Sequence, residues 1–188
     1  MNTSSIKLKL LLARVQKGDP EAYADIYELY IDRIYRFIFF KVSNHEEAED
    51  LAAEVFLKTW QYLIQPESKV NNLNALLYQT ARNCVIDFYR QNNKRELLPG
   101  DETLSRIEDK RQQKLLIEIE AGIELEKIEK HISKLKDEYR EILILKYLEE
   151  LSNDEIAKVL EKSAGAVRVL SHRALKILKD IINASEEI

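Results

Sequence analysis

Apolar residues recur at the spacing of an α-helix along most of this chain, and this period limits the possible folds more than any other feature. The run Gly18-Asp19-Pro20 is a turn followed by a helix start, because Asp can cap a helix and Pro suits its first position. One long amphipathic helix is therefore predicted after it. Its apolar positions are Tyr23, Ile26, Tyr27, Tyr30, Ile34, Phe37 and Ile38.

Two further helices are predicted before residue 96. Asn44 can cap the first of them, with Glu47 three positions later, and the next begins near Asn74 after a break at Pro66. Their apolar positions are Ala48, Leu51, Ala52, Val55, Phe56 and Trp60 in the first, and Leu77, Tyr78, Ala81, Val85, Ile86 and Tyr89 in the second. All three helices can share one core.

Residues that break helices are scarce. The 188 residues include only 4 Gly and 3 Pro, so an all-α fold is expected. This length allows two small domains, each with a modest core. Pro99-Gly100-Asp101 is the strongest break, and a charge-dense stretch follows it. We predict a helical domain over 1–96, a charged linker over 97–122 and a second helical domain over 123–188.

The second domain has the pattern of a helix-turn-helix. Ser152 and Glu155 can form a capping box, and Ser163 can cap the helix after the turn. The N-terminal half of that helix would enter the major groove. Residues expected to face bases or phosphates are Ser163, Ala164, Gly165, Arg168, Ser171, His172, Arg173 and Lys176, whereas Val167, Leu170, Ala174, Leu175 and Leu178 would face the core.

Charge is segregated along the chain. The formal net charge is −4, which argues against a protein that binds DNA tightly by itself, since cations supply much of that affinity. Residues 162–179, however, contain five Lys or Arg and no acid. A solvated basic helix face is the alternative reading there, but mixed ion pairs would be usual on such a face.

The helix after Asn44 carries an acidic side with an apolar centre. Asp50, Glu54, Leu57 and Gln61 share one side of it, because positions three or four apart lie together. This side is either simply solvated or a docking face for a basic partner. Periodicity leaves both readings open.

Catalysis, metal binding and membrane insertion are not predicted. The single cysteine, Cys84, allows no intrachain disulfide, and His45, His131 and His172 are scattered. Glu46 to Asp50 superficially resembles a magnesium-binding acidic box, but a second box is missing. No phosphate-binding loop or cofactor motif occurs, and no segment approaches the roughly 20 apolar residues that span a bilayer. A soluble, cytoplasmic protein is expected.

Ordered motifs resemble those of one known family. Residues 18–23 (Gly-Asp-Pro-Glu-Ala-Tyr), 48–57 (Ala-Glu-Asp-Leu-x-x-Glu-Val-Phe-Leu) and 77–90 resemble region 2 of bacterial sigma factors of the extracytoplasmic-function type. Residues 135–147 and 151–175 resemble region 4. The motifs stand in the family's order, and they cover nearly the whole chain except the ends and the linker.

The resemblance implies partners and residue roles. Core RNA polymerase would be bound through its β′ clamp helices and β flap, the former by Asp50, Ala53, Glu54, Leu57 and Gln61. Promoter DNA would be engaged and melted at the minus-ten element by Tyr78, Arg82, Asn83, Asp87, Arg90, Lys94 and Arg95. The region 4 helix would read the minus-thirty-five element. An anti-sigma protein is a further expected partner, because family members are commonly held inactive by one.

The chain departs from the family pattern at four positions. Leu76 replaces the usual Trp, Ala53 a common Gln, Glu161 the turn glycine and Ala166 the commoner Thr. If Glu161 must adopt a left-handed backbone, the cost is about 1 kcal/mol or more.

One rival hypothesis is a transcriptional regulator that binds an operator through its helix-turn-helix alone, with the N-terminal helices serving for dimerisation. That protein would bind duplex tightly without polymerase, whereas a sigma factor would need the polymerase.

Overall fold

The computed structural model describes residues 3–68, 70–96, 131–132 and 134–186. Every regular element among them is helical, so the predicted all-α class is confirmed. The described residues divide into two compact units, the first built on the helices up to residue 96 and the second mainly on those from Asp137 onward. The predicted linker, 97–122, lies outside the described residues, and the domain boundaries stay predictions.

Helices α1 (Thr3–Val15) and α2 (Pro20–Val42) are joined by a tight, capped turn. Asp19 caps α2 as predicted, since its Oδ1 accepts hydrogen bonds from the backbone N–H groups of Glu21 and Ala22 at 3.0 and 3.3 Å. Its other oxygen lies 2.8 Å from Nε of Arg14 at the end of α1. The hydrogen bond from Arg14 holds the pKa of Asp19 below its usual value. This ion pair therefore joins the end of α1 to the start of α2.

Helix α3 (His45–Leu63) packs against α2. Asn44 caps it as predicted, because its side-chain oxygen accepts from the backbone N–H of Glu47 at 3.1 Å. Two aromatic pairs join the helices: Tyr23 with Trp60 at a ring-centroid distance of 5.0 Å, and Tyr27 with Phe56 at 4.7 Å. The buried residues of α3 are Ala48, Leu51, Ala52, Val55, Phe56, Thr59 and Leu63.

Helix α4 (Leu73–Glu96) completes the first unit. Its start is set by Asn72, whose Oδ1 accepts from the backbone N–H of Ala75 at 2.9 Å. Its position is set by the core, where Leu77, Ala81, Cys84 and Val85 are buried. Tyr30 of α2 also donates its hydroxyl to Asn74 of α4.

The second unit holds the predicted helix-turn-helix. Helix α5 (Asp137–Leu143) continues into a π-helical turn (Ile144–Leu148), which is followed by α6 (Asn153–Val159) and α7 (Ala164–Glu186). The capping box is confirmed, because the N–H of Ser152 donates to Glu155 at 2.8 Å and the N–H of Glu155 donates to the Ser152 hydroxyl at 3.3 Å.

Left-handed residues end two of these segments. Glu150 and Glu161 have φ values of 53° and 54°, which are unfavourable for any residue with a Cβ. Glu161 lies in the turn before α7, at the position where the family pattern has glycine. Because its backbone is left-handed, the free-energy cost expected for a residue with a side chain applies here.

We therefore expect the free energy of unfolding of Glu161→Gly to exceed that of Glu161→Ala by about 1 kcal/mol. Both variants lose the same carboxylate, so the comparison isolates the backbone. Urea denaturation of the two proteins measures the difference. Equal stability, or a more stable alanine variant, would show that the left-handed backbone costs nothing here.

Candidate polymerase and promoter interfaces

The acidic side of α3 faces solvent. Asp50, Ala53, Glu54, Leu57 and Gln61 are all exposed, and we call them the α3 face. Leu57, at its centre, is 56% exposed although it is apolar. The opposite side of α3 is buried, so helix periodicity separates the two sides as the sequence predicts.

One carboxylate of the α3 face is already paired. Nζ of Lys58 lies 2.7 Å from Oε1 of Glu54 and 3.7 Å from the Sγ of Cys84 on α4. The hydrogen bond to Glu54 raises the pKa of Lys58, and burial raises the pKa of the Cys84 thiol. Cys84 thus fits a structural role, and the face is less acidic than the run from Glu46 to Glu54 indicates. The spacing of Glu54 and Lys58 would have revealed this pair.

Helix α4 presents a mixed polar surface. Asn83, Asp87 and Arg90 are exposed and Arg82 is half-buried. An ion pair joins Arg90 to Asp87 at 3.6 Å. The side chains of Lys94 and Arg95, which were also predicted to contact DNA, lie outside the described part of the structure.

Tyr78 does not belong to this surface. Its side chain is 0% exposed and packs edge-on against Phe37 with ring centroids 5.4 Å apart. The sequence prediction that it contacts opened DNA is therefore not met by the structure, because the core covers the ring.

The exposed aromatic of α4 is Tyr89. Its hydroxyl donates to the carbonyl oxygen of Lys41 at 2.7 Å, and its ring lies 5.4 Å from that of Phe88, which is half-buried. Tyr89 therefore offers a ring face beside the polar residues of α4.

The basic side of α7 begins at its capped N-terminus. Ser163 is exposed, and its hydroxyl accepts from the backbone N–H of Ala166 at 3.1 Å. Gly165 is also exposed, whereas Ala164 is half-buried. The predicted DNA-facing positions Arg168, His172, Arg173 and Lys176 are all exposed.

Ser171 is a second correction. It is buried, and its hydroxyl donates to the carbonyl of Val167 at 2.8 Å. Val167 is itself a core residue, and the fourth residue after it returns to the same side. Ser171 therefore faces the interior and is not available to DNA.

Sequence reasoning missed Val169. This apolar residue lies between the cations of α7 and is 49% exposed. Its position two residues after the buried Val167 could have revealed it, because two residues turn a helix through more than half a circle.

The described residues offer neither a metal site nor a membrane span. No group of three or more His, Cys, Asp or Glu side chains there is placed to hold a metal ion. No helix there is long and apolar enough to cross a membrane.

Comparison with known proteins gives the surfaces their context. Residues 26–95 match the family described as Sigma-70 region 2, and residues 125–178 match Sigma-70, region 4. The sigma factor SigW of Bacillus subtilis is 33% identical over 180 residues, which cover 92% of this chain and 95% of SigW. The chain is an extracytoplasmic-function sigma factor. BldN of Streptomyces coelicolor is 27% identical over 183 residues, covering 96% of this sigma factor and 68% of BldN.

Solved structures share its fold. CnrH, in complex with the cytosolic domain of CnrY, superposes with a TM-score of 0.68 at 19% identity, covering 95% of this sigma factor and 98% of CnrH. RpoE, in complex with the anti-sigma factor NepR from Bartonella quintana, gives 0.63 at 20% identity, covering 86% and 96%.

Membership of this family assigns the function. Sigma factors bind core RNA polymerase and promoter DNA and direct initiation without catalysis of their own, as predicted. A regulator that works without polymerase is not favoured, since the match covers region 2 as well as the helix-turn-helix.

The burial of Tyr78 has a direct consequence. Tyr78→Ala should lower the free energy of unfolding by about 3–5 kcal/mol, because it empties a large core site. Tyr89→Ala, at an exposed ring on the same helix, should cost far less. Denaturation of both variants tests this. If Tyr78→Ala is as stable as Tyr89→Ala, Tyr78 is not a core residue.

Proposed function

We propose that this sigma factor joins core polymerase through the α3 face, at the clamp helices of the β′ subunit. The observation that carries the proposal is Leu57, an exposed apolar side chain on the same side of the helix as Asp50 and Glu54. An apolar centre with a charged rim suits a protein interface, where the centre supplies affinity and the rim supplies orientation.

The two carboxylates differ in how they are held. Glu54 is held by its ion pair with Lys58, and the ammonium group of Lys58 also contacts the thiol of Cys84. Asp50 makes no ion pair with another described residue. A basic partner would therefore find Asp50 unneutralised and Glu54 already fixed in place, and less conformational entropy would be lost on binding.

Charge reversal tests this interface. Asp50→Lys with Glu54→Lys should weaken association with core polymerase by about tenfold or more, because attraction is replaced by repulsion. Asp25→Lys with Glu28→Lys is the matched control, since both residues are exposed on α2 and the change in net charge is the same. Fluorescence anisotropy with core polymerase gives the affinities. Equal loss in both double variants would remove the α3 face from the interface.

The minus-ten element is proposed to meet α4. Arg82, Asn83, Asp87 and Arg90 supply polar and cationic groups, Lys94 and Arg95 extend the basic character of the sequence, and Tyr89 supplies a stacking surface. Opened bases need both, a ring face on which to stack and cations along the strand.

The minus-thirty-five element is proposed to receive α7 in its major groove. Arg168, His172 and Arg173 would approach bases and phosphates, Ser163 and Gly165 the backbone beside the helix start, and Lys176 a phosphate. Val169 adds an apolar group that suits the methyl group of thymine. The cations cannot make that contact.

Arg168→Ala and Lys176→Ala separate the two kinds of contact. Arg168→Ala should reduce discrimination between upstream elements by about 1–3 kcal/mol, because a bidentate contact to guanine is lost. Lys176→Ala should weaken all templates alike and flatten the salt dependence. Transcription from a library of upstream sequences measures both. A uniform loss for Arg168→Ala would make it a phosphate contact.

An anti-sigma protein is proposed as a further partner, and the cytoplasm as the location. Two solved structures support the proposal of an anti-sigma partner. RpoE was solved in complex with the anti-sigma factor NepR, and CnrH in complex with the cytosolic domain of CnrY. The division into a region 2 domain over 1–96, a linker over 97–122 and a region 4 domain over 123–188 belongs to the same proposal.

A further inference from the structure

Helix α1 has an apolar side that its own unit does not use. Leu11 and Val15 are buried, whereas Ile6 and Leu10 on the outward side are 49% and 63% exposed. Ile6 and Leu10 are four residues apart and therefore lie one turn apart on the same side of the helix. Two large aliphatic side chains thus lie side by side in solvent.

This outward side is also basic. Residues 3–18 contain four cations and no acid. Arg14 is engaged by Asp19, while Lys7, Lys9 and Lys17 are exposed and make no ion pair within the described part of the chain. We call Ile6, Lys7, Lys9 and Leu10 the α1 face.

The chemistry of the α1 face favours a protein over other partners. Phosphates of DNA would use the lysines and leave Leu10 in water. A bilayer surface needs a wide apolar stripe, but Leu11 and Val15 are committed to the protein core. An acidic helix with an apolar centre satisfies both the cations and the aliphatic pair.

The same chain carries such a helix. On the α3 face, Ala53 and Leu57 are also four residues apart, and Asp50 and Glu54 lie beside them. The residues of the α1 face and of the α3 face are all exposed within one copy, so both faces are open to a second copy. Between two copies, the aliphatic pairs match at the same one-turn spacing, and the charges beside them are opposite in sign.

We propose that the α1 face of one copy docks on the α3 face of a second copy, with Ile6 and Leu10 against Ala53 and Leu57. Lys7 and Lys9 flank the aliphatic pair of α1 on its two sides, so cations from α1 then approach the acidic side of α3. This contact covers the surface that core polymerase would use, so self-association would compete with polymerase binding. Only this last consequence rests on the proposed function.

Sedimentation velocity of the full chain, without polymerase, tests the contact. Wild type should self-associate with rising concentration, and the dissociation constant should increase about tenfold or more between about 0.05 and 0.5 M salt. Lys7→Glu with Lys9→Glu should abolish association. The control Lys134→Glu with Lys136→Glu changes net charge equally at exposed sites of the second unit and should leave association intact.

A mixing experiment gives the sharper result. Lys7→Glu/Lys9→Glu has two acidic faces and Asp50→Lys/Glu54→Lys has two basic faces, so each should be monomeric alone and the mixture should associate. Circular dichroism checks that both remain helical, and Leu10→Ser, which keeps every charge, should weaken association independently.

Several outcomes would overturn the proposal. These are a monomeric wild type at every concentration, a mixture that does not associate, or association of Lys7→Glu/Lys9→Glu equal to that of wild type. Retained self-association with lost promoter binding in that variant would assign the α1 face to nucleic acid instead. Because polymerase is absent from these measurements, their failure leaves the proposed polymerase interface untouched.

Discussion

Burial of one side of α3 against α2 decides what the first unit can present to a partner. Tyr27 lies edge-on to Phe56, and Tyr23 packs on Trp60 while its hydroxyl donates to the carbonyl of Phe56. With that side committed to the core, the helical period leaves Asp50, Glu54 and Leu57 in solvent. Large apolar groups in the core stabilise the unit by about 1.5–3 kcal/mol each, so the opposite side tolerates like charges and an exposed leucine.

The exposed surfaces of the two units differ in charge. The α3 face is acidic and fits a basic protein partner, whereas residues 164–179 of α7 include cations without acids. A chain with a net charge of −4 gains little from counterion release. Membership of the sigma family explains this arrangement, because core polymerase brings the affinity and the sigma factor selects the site.

The starts of α2, α3 and α6 were predictable because each depends on a few neighbouring residues, whereas α1 was not predicted. Asp19, Asn44 and Ser152 all cap as the sequence indicates, since a cap is a contact over three residues. Tyr78 was misplaced because the family resemblance assigned it to DNA, although the helical period puts it with Leu77 and Ala81 on the buried side. Ser171 was misplaced although it follows the buried Val167 by one turn, which places it on the same side of the helix.

Other features depend on contacts distant in sequence. The contact of Lys58 with Cys84 joins two helices, and the π-helical turn at Ile144–Leu148 interrupts a run of apolar residues that reads as ordinary helix. Neither has a local sequence signal. Roles on DNA or polymerase stay predictions for the same reason, because they depend on atoms of another molecule.

The most direct test of the central claim compares the DNA affinity of the free chain with that of its complex with core polymerase, on promoter and scrambled duplexes at one salt concentration. The free chain should bind weakly, with little preference for the promoter. Addition of core polymerase should produce tight, promoter-specific binding and run-off transcription. Promoter binding by the free chain as tight and as specific as that of the complex would contradict the central claim.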